Sequence, residues 1–257
     1  MASLKERLHA GEFLLGTHIH ANDPSLTELL GQCGFDYLWI DTEHAPIDYA
    51  ALQMHLIAAR AAGCSAIVRI PWNVPYLAKR VLDQGPDGII FPMIRSAREA
   101  EDAIRSTRYP PAGTRSFGPI RAARYGLAPT AKYLADTDSA LCRFLQIEHI
   151  DAVHALPDIL NIEGIDGLIL GPCDLSGSVG MLGDIGCTEV SDMINEAIAL
   201  CRRTGMPIGV SVGCCGAETV QTWRQRGVQF LSAGSEHGWL ALAAQRFSSA
   251  AKAAFPA

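Results

Sequence analysis

Two segments close together in the chain decide the predicted fold: FLQIEH at residues 144–149 and IDGLILGPCDLS at residues 165–176. Each contains an apolar run typical of a buried strand, and the residues between them suit one helix. A carboxylate follows each strand, Glu148 after the first and Asp174 after the second. If the strands are parallel, both carboxylates lie at the same sheet edge, where they suit a hard cation such as Mg²⁺ or Mn²⁺.

The same strand–helix alternation extends over the rest of the chain. The predicted strands are residues 13–19, 37–41, 65–69, 88–93, 142–148, 167–170, 207–211 and 229–232. Helical patterns lie between them, and repeated β–α units of this kind predict a parallel sheet. Eight such units in 257 residues, close to the length typical of the fold, predict an α/β protein with a single (β/α)₈ TIM barrel covering residues 1–257.

One irregular region interrupts the alternation, from residue 109 to about residue 130. It contains YPPAGTRSFGPIRAARYG and is rich in proline, glycine and arginine. Long loops inside compact domains are usually functional, so we expect an active-site loop here. A second glycine-rich loop, GPCDLSGSVGMLGDIG at residues 171–186, follows the sixth strand.

The composition excludes several classes of function. The chain is 49% hydrophobic and 19% charged with a net charge of -6, and no run of lysine or arginine indicates a nucleic-acid partner. No apolar run is long enough to span a membrane. The eight cysteines form no CxxC pair and no disulfide-like framework. We therefore expect a cytoplasmic protein with reduced cysteines.

Many polar and charged residues fall at the predicted strand ends. In a (β/α)₈ barrel the active site lies at the carboxyl ends of the strands. Burying charge is unfavourable unless the group is paired or bound to a metal, so this accumulation indicates a site. The residues are His18, His20, Asp41, Glu43, His44, Arg69, Gln146, Glu148 and Asp174.

The residue types at two of these strand ends suit acid–base and electrostatic catalysis. His44 suits a general base, with Asp41 three residues earlier as its orienting partner. Arg69 would offer fixed donors to a carboxylate or to a developing enolate oxygen. Plainer readings remain open: His44 stacked on Pro46, Arg69 paired with Glu43, and the two carboxylates of the opening segments exposed in loops.

The distribution of lysine excludes one mechanism. A Schiff-base aldolase needs a lysine inside the barrel mouth. The four lysines, Lys5, Lys79, Lys132 and Lys252, all fall in predicted helices, so imine chemistry is not expected. The chain also has no GxGxxG after a strand, no Walker A sequence and no GxSxG, so nucleotide cofactors and serine hydrolysis are unsupported.

Several motifs, taken together in this order, resemble the HpcH/HpaI family of class II, metal-dependent pyruvate aldolases over residues 16–247. The motifs are DTEHAP, VRIPWN, TRYPPAGTRSFG, LQIEH and LGPCDLS. The resemblance implies the barrel, a Mg²⁺, Mn²⁺ or Co²⁺ ion, and cleavage of 4-hydroxy-2-oxo acids to pyruvate and an aldehyde. Substrates of the 4-hydroxy-2-oxoheptanedioate or 2-keto-3-deoxy sugar acid type are implied. A homo-oligomer is implied too, a hexamer in which the last helix packs on a neighbour.

The resemblance also implies a role for each matching position. The implied roles are metal ligation by Glu148 and Asp174, enolate stabilisation by Arg69, acid–base catalysis by His44 with Asp41 as its partner, a polar position near the metal for Gln146, and carboxylate binding by the backbone N–H groups around Cys173 and Asp174.

The chain departs from the family pattern where the aldehyde would bind. His18 stands where the family often has an aromatic residue, and with His20 it makes that edge polar. Thr42 replaces a frequent glycine, and Arg121 and Arg124 add positive charge from the long loop. We expect His18 and Arg121 to contact substrate in a polar, cationic pocket suited to a hydroxylated or acidic aldehyde.

Two other functions remain open at this point. The same barrel and enolate chemistry would serve an acyl-CoA lyase or an oxaloacetate decarboxylase, although no basic cluster suggests a groove for CoA. A non-catalytic metal-binding barrel is the second alternative, because a fold alone does not prove activity. The set formed by His44, Asp41 and Arg69 argues against it, since binding alone requires no base.

Overall fold

The structure, a computed structural model, describes residues 2–255 and confirms the predicted fold class. Eight strands form a closed barrel in chain order, and every neighbouring pair is parallel, including β8 with β1. The strands are β1 (Leu14–Ile19), β2 (Tyr37–Asp41), β3 (Ser65–Arg69), β4 (Gly88–Phe91), β5 (Cys142–Ile147), β6 (Gly167–Leu170), β7 (Ile208–Val212) and β8 (Phe230–Ser235).

Helices surround the barrel, and the sequence analysis gave no bounds for two of them. The helices are α1 (Leu4–His9), α2 (Pro24–Gly31), α3 (Tyr49–Ala62), α4 (Pro75–Leu82), α5 (Ala97–Thr107), α6 (Thr130–Ala140), α7 (Ile150–Ile159), α8 (Pro172–Ser178), α9 (Thr188–Thr204), α10 (Ala217–Arg226) and α11 (Glu236–Ala254). A short 3₁₀ turn covers Arg124–Gly126. Sequence reasoning gave no bounds for α6, although Lys132 was expected to lie in a helix, and it missed α8; neither helix has a side-chain N-cap to mark its start.

Along each strand the side chains point alternately to the inside and the outside of the barrel, and this alternation decides where the polar residues point. Tyr37 and Trp39 of β2, Ile67 of β3 and Phe144 of β5 belong to the inner apolar cluster, which α1 closes at the amino-terminal end with Leu4 and Leu8. Residues two positions apart in a strand share a face. The residue two positions after each inner apolar residue therefore also points inward, nearer the carboxyl end.

The long loop between α5 and α6, residues 108–129, lies at the amino-terminal end of the strands. Its Arg115 donates to Asp83 beside the last turn of α4 and its Arg121 to the carbonyl of Gln84. A connection from a helix to the next strand must return to the strand's amino end, whereas β-to-α connections form the opposite face. The expectation of an active-site loop at residues 109–130 is therefore wrong within this chain.

The last helix, α11, packs little of its surface against the barrel. Leu240, Leu242 and Phe247 are exposed, with Phe247 76% accessible, and Glu236 at the start is the helix's single buried residue within the described chain. An apolar helix left uncovered in this way is typical of a surface that another chain covers.

The described residues bear on the predicted single domain and on the search for a membrane-spanning helix. The barrel and its helices extend from Leu4 to Ala254, and residues 1, 256 and 257 of the predicted single domain lie outside the described residues. Within residues 2–255, the structure contains no helix that combines the length and apolarity required to cross a membrane.

We expect Gly16→Ala to destabilise the barrel by about 1–3 kcal/mol, because the inner core has no room for the added methyl group. A Cβ at Gly16 would lie 2.3 Å from the ring of Tyr37, whose hydroxyl is hydrogen-bonded to Ser232 at 2.9 Å. Guanidinium unfolding measures the change. Gly118→Ala is the control, since its nearest neighbour atom would be 4.0 Å away. Equal stabilities of the two variants would contradict the packing argument.

Candidate active site

Asp41 and Arg69 form a buried ion pair at the carboxyl ends of β2 and β3. They are register partners in the sheet, and Arg69 donates from both Nε and Nη2 to the two carboxylate oxygens of Asp41. Asp41 is completely buried, and the guanidinium also lies 5.2 Å from the centre of the Trp39 ring. Two parallel hydrogen bonds to one carboxylate fix both the position and the plane of the guanidinium.

Glu43 makes a second ion pair with Arg69, at 3.0 Å from Nη1. Burial raises the pKa of Glu43 above its ordinary value, although the positive charge of Arg69 opposes the shift. The pKa of Asp41 shifts the other way: burial opposes the shift, but hydrogen bonds from His20 and Arg69 hold it well below the usual range. Arg69 therefore stabilises the ionised form of Asp41 more than that of Glu43. The interpretation that Glu43 only orients Arg69 fits this geometry.

Gln146 and Glu148 continue this arrangement on β5. Arg69 Nη1 lies 3.5 Å from Gln146 Oε1, and Gln146 Nε2 donates to Glu148 Oε2 at 2.7 Å. The other carboxylate oxygen of Glu148 accepts the backbone N–H of Met93 at 2.8 Å. A line of hydrogen bonds therefore connects Asp41 to Glu148 across three strands of the barrel mouth.

Glu148 is buried yet has no direct cationic partner among the described residues. Burial, together with repulsion from Asp174, raises the pKa of Glu148 to about 7, although the bond from Met93 works in the opposite direction. The influence of Asp174 shows that the two carboxylates of the opening segments face one region. Two carboxylates that repel each other in a buried mouth suit a divalent cation between them.

Because Gly171 has no side chain, there is room beside it for the carboxylate of Glu148. A Cβ at this position would lie 2.5 Å from Glu148 Oε2 and 2.8 Å from Glu148 Cβ. Sequence reasoning recognised the motif around Gly171 without assigning this role, and it likewise missed Met93. Met93 has a φ of 53°, which aims its N–H at Glu148. Residue type alone gives no signal for a backbone donor of this kind.

Cys173 and Asp174 lie in the first turn of α8, just beyond β6. The first hydrogen bond of this helix runs from Leu175 N to Gly171 O, so the preceding N–H groups have no acceptor within the helix. Both residues are exposed. Their N–H groups are thus available to an anion in the mouth, as the substrate-binding prediction for Cys173 and Asp174 requires.

His44 lies at the mouth, but Asp41 is not its side-chain partner. The His44 side chain is 68% exposed, and its Nε2 lies 3.8 Å from Glu43 Oε2. Asp41 contacts only the backbone of His44, accepting its N–H at 3.3 Å, whereas the ring of His20 lies 3.4 Å from Asp41. The expected His44–Asp41 pair is therefore wrong in this structure, because the carboxylate is already committed to Arg69 and His20.

His18 points into the mouth but offers no free polar atom. Its Nδ1 lies 2.9 Å from the carbonyl oxygen of Gly234, so Nδ1 carries the proton, and Nε2 accepts from the hydroxyl of Ser211. Its ring packs 4.8 Å from that of Trp39. Burial lowers the pKa of His18 to about 4, so the ring is uncharged at neutral pH. A polar substrate contact would require one of these hydrogen bonds to break.

Arg121 does not reach the mouth of its own barrel. It is buried at the opposite end, where its guanidinium donates to the backbone carbonyls of Leu56, Gln84 and Gly85. Arg124 lies on the same side, in the 3₁₀ turn. The expectation that Arg121 binds the aldehyde in a cationic pocket is therefore wrong for a single chain. The error follows from assigning a helix-to-strand connection to the wrong face.

Comparisons with known proteins agree with this arrangement of motifs and geometry. Residues 14–243 match the family model described as HpcH/HpaI aldolase/citrate lyase. The chain belongs to this family. It is 35% identical over 244 residues to a hydroxypyruvate/pyruvate aldolase of Roseovarius nubinhibens, covering 95% of this chain and 94% of the relative. It is also 35% identical over 260 residues to a 4-hydroxy-2-oxo-heptane-1,7-dioate aldolase of Escherichia coli, covering 99% and 98%.

A solved structure supports the same assignment at the level of the fold. A family protein from Burkholderia cenocepacia superposes with a TM-score of 0.92 at 31% identity, over 97% of this chain and 98% of that one. The closed barrel of an HpcH/HpaI aldolase/citrate lyase family member therefore surrounds the network described above. The resemblance drawn from five short motifs is confirmed for nearly the whole chain.

We expect Asp41→Asn to lower stability by about 3 kcal/mol or more, because it leaves the buried Arg69 guanidinium without its main counter-charge. Glu43→Gln is the matched control and should cost under about 1 kcal/mol, since the raised pKa of Glu43 shows that the fold does not favour its charge. Urea unfolding at pH 7 measures both. Equal losses of unfolding free energy in the two variants would mean that Asp41 and Glu43 stabilise Arg69 equally.

Proposed function

We propose that this family member is a class II aldolase that reversibly cleaves a 4-hydroxy-2-oxo acid to pyruvate and an aldehyde. The observation that carries the proposal is the fixed guanidinium of Arg69 close to Glu148, a buried carboxylate with no direct cationic partner in the described chain and with Asp174 near it. Such a site favours a reaction in which negative charge develops on a substrate oxygen. Both of the named curated relatives are aldolases.

Glu148 and Asp174 would hold a divalent cation, which we propose to be Mg²⁺, Mn²⁺ or Co²⁺. Among residues 2–255, no group of three or more His, Cys, Asp or Glu side chains converges on one point, so these two carboxylates would leave most coordination positions to water and substrate. A bound divalent cation supplies Lewis-acid polarisation of the substrate's carbonyl and stabilises the enolate charge.

Arg69 would stabilise the developing enolate oxygen with a donor that is already in place. Nε and Nη2 are occupied by Asp41. Nη1 pairs with Glu43 at 3.0 Å, but its second contact, with Gln146, is long, at 3.5 Å. A substrate oxygen near Nη1 would receive a shorter hydrogen bond than Gln146 does. Because Asp41 fixes the guanidinium beforehand, no reorganisation is needed as charge forms.

His44 would transfer the proton that the reaction requires. In the cleavage direction its imidazole takes the proton of the substrate's 4-hydroxyl group as the C3–C4 bond breaks, and the bond's electron pair forms the enolate. His44 is exposed at the mouth, and the nearest charged group is Glu43, so a substrate has access to its ring. His20 is the competing base, because it holds the position beside Asp41 that a paired histidine would have.

The positions of the lysines support a route without an imine. All four are within the described residues and lie on helices: Lys5 on α1, Lys79 on α4, Lys132 on α6 and Lys252 on α11. Lys5 pairs with Asp166, which immediately precedes β6 and so lies at the amino-terminal end. A nucleophilic amine would have to lie at the carboxyl ends of the strands.

We further propose that the enzyme is a homo-oligomer, a hexamer by family resemblance, working in the cytoplasm. The exposed apolar side chains of α11 support self-association, because a helix with Leu240 and Phe247 uncovered would be stabilised by a second copy. The eight cysteines are free in the structure, which suits a reducing compartment.

The first test needs no knowledge of the aldehyde. Incubating the protein with pyruvate in D₂O should replace the methyl protons by deuterium, followed as loss of the methyl signal in ¹H NMR. EDTA should stop the exchange and Mg²⁺ should restore it. His44→Asn should slow exchange by about 10²-fold or more. Arg69→Lys should slow it by about 10²–10³-fold, since lysine cannot form the bidentate pair with Asp41.

His20→Asn is the matched control for the base. It should retain exchange within about tenfold of the parent protein if His44 carries the proton. The reverse result would transfer the base role to His20. Absence of exchange with every metal would overturn the pyruvate aldolase proposal, and turnover of oxaloacetate or of a CoA ester would then identify the related lyase activities.

A second prediction concerns metal affinity and pH. The pKa of Glu148 is about 7, so a proton competes with the metal below that pH. Lowering the pH from 8 to 6 should therefore weaken Mn²⁺ binding by about tenfold, because the ionised fraction of Glu148 falls by that factor. Titration calorimetry measures the affinity. Glu148→Gln should bind more weakly at both values and lose most of the pH dependence; an unchanged pH dependence would exclude Glu148 as the ligand that titrates.

A further inference from the structure

A cavity lies at the opposite end of the barrel from Glu148. Its volume is about 660 Å³, and the long loop, α6 and the residues just before β4 enclose it. This volume is within the range of sites that bind small molecules. No residue that lines it belongs to the candidate active site. The proposed aldolase reaction leaves this cavity without a role.

The charge of the cavity is strongly positive. Arg60, Arg115, Arg121 and Arg124 line it together with one lysine, and the acidic residues on its walls are Asp87 and Asp136. Asp136 is already paired with the lysine, Lys132, at 2.7 Å. Four arginines thus line one cavity whose remaining lining carboxylate is Asp87. Such a field attracts anions.

Arg115 is the most deeply buried of the four arginines, with 3% of its surface exposed. Its Nη2 donates to Asp83 at 2.8 Å and to the hydroxyl of Tyr133 at 3.3 Å, and its guanidinium lies 4.6 Å from the Tyr109 ring centre. Its Nε is buried and has no acceptor anywhere in residues 2–255. A buried donor without a partner is unfavourable, so the guanidinium of this cavity-lining arginine is incompletely satisfied within the fold.

Arg121 is also buried and has no carboxylate hydrogen-bonded to it in the described chain. Its donors reach only backbone carbonyls, those of Leu56, Gln84 and Gly85. Burial and then the nearby charge of Arg60 lower the pKa of Arg121, which indicates that its positive charge is poorly compensated. Holding an uncompensated guanidinium in the fold is unfavourable, and a bound anion would remove that penalty.

We propose that this cavity binds a small organic anion carrying phosphate or carboxylate groups, and we call it the amino-end anion site. The anionic group would accept hydrogen bonds from the exposed guanidinium groups of Arg60 and Arg124, beside the positive charges of Arg115 and Arg121. Arginine suits this role because its planar donors match phosphate and carboxylate oxygens. The carbon part of the ligand would contact the apolar side chains of Leu82 and Leu141, which also line the cavity.

Calorimetry with three probes tests the amino-end anion site: inorganic phosphate, succinate and 3-phosphoglycerate, the last carrying both groups. The titrations use the Glu148→Gln protein without added metal, so that chelation at the barrel mouth contributes no heat. At least one probe should bind. Tighter binding of phosphate than of succinate indicates a phosphate ligand, and the reverse order indicates a carboxylate ligand.

Removing two exposed arginines should weaken this binding without disturbing the fold. Arg60→Gln/Arg124→Gln should weaken it by about tenfold or more, since two charge-assisted contacts are lost. Arg98→Gln, an exposed arginine on α5, is the matched control and should leave the affinity unchanged. Pyruvate exchange in the same double variant, with Glu148 restored, should remain at the parent rate. Absence of binding by all three probes, or equal affinity in the double variant, would overturn the proposal.

Discussion

The candidate active site depends on the buried, two-point contact between Arg69 and Asp41. A guanidinium held by both oxygens of one carboxylate has a fixed plane, so its remaining donors point in fixed directions. Those donors meet Glu43 and Gln146, and Gln146 in turn donates to Glu148. Residues on strands two, three and five are therefore positioned by one another. The barrel supplies the frame, and this ion pair sets the orientation of the groups within it.

The alternation of side chains explains why this network lies where it does. Trp39, Ile67 and Phe144 fill the inside of the barrel, and the residues two positions further along the same strands are Asp41, Arg69 and Gln146. The apolar layer excludes water from below, which strengthens every charge interaction above it. Packing and catalysis thus share one register, and a shift of one residue in any of these strands would turn its polar side chain out of the mouth.

Sequence patterns predicted the strands, the barrel and the carboxyl-end residues because each depends on local spacing and on one topological rule. The same rule, applied to the loop around Arg121, would have placed it at the amino end, since that loop follows a helix and precedes a strand. The partner of His44 was a different kind of error. Spacing in a loop does not determine which way a side chain turns. The partners of Asp41 are Arg69 and His20, which are distant from it in the sequence.

The opposite pKa shifts of Asp41 and Glu148 show how the network distributes charge. Asp41 receives two donors from Arg69 and the ring of His20, so its ionised form is stabilised. Glu148 receives only neutral donors, the amide of Gln146 and the backbone of Met93, while burial opposes its charge. The guanidinium of Arg69 thus neutralises Asp41 at one end of the hydrogen-bonded line. Glu148 at the other end, near Asp174, lacks a positive partner in the described chain. A divalent cation at that end would complete the balance, and a substrate oxygen between the cation and Arg69 would face positive charge from both sides.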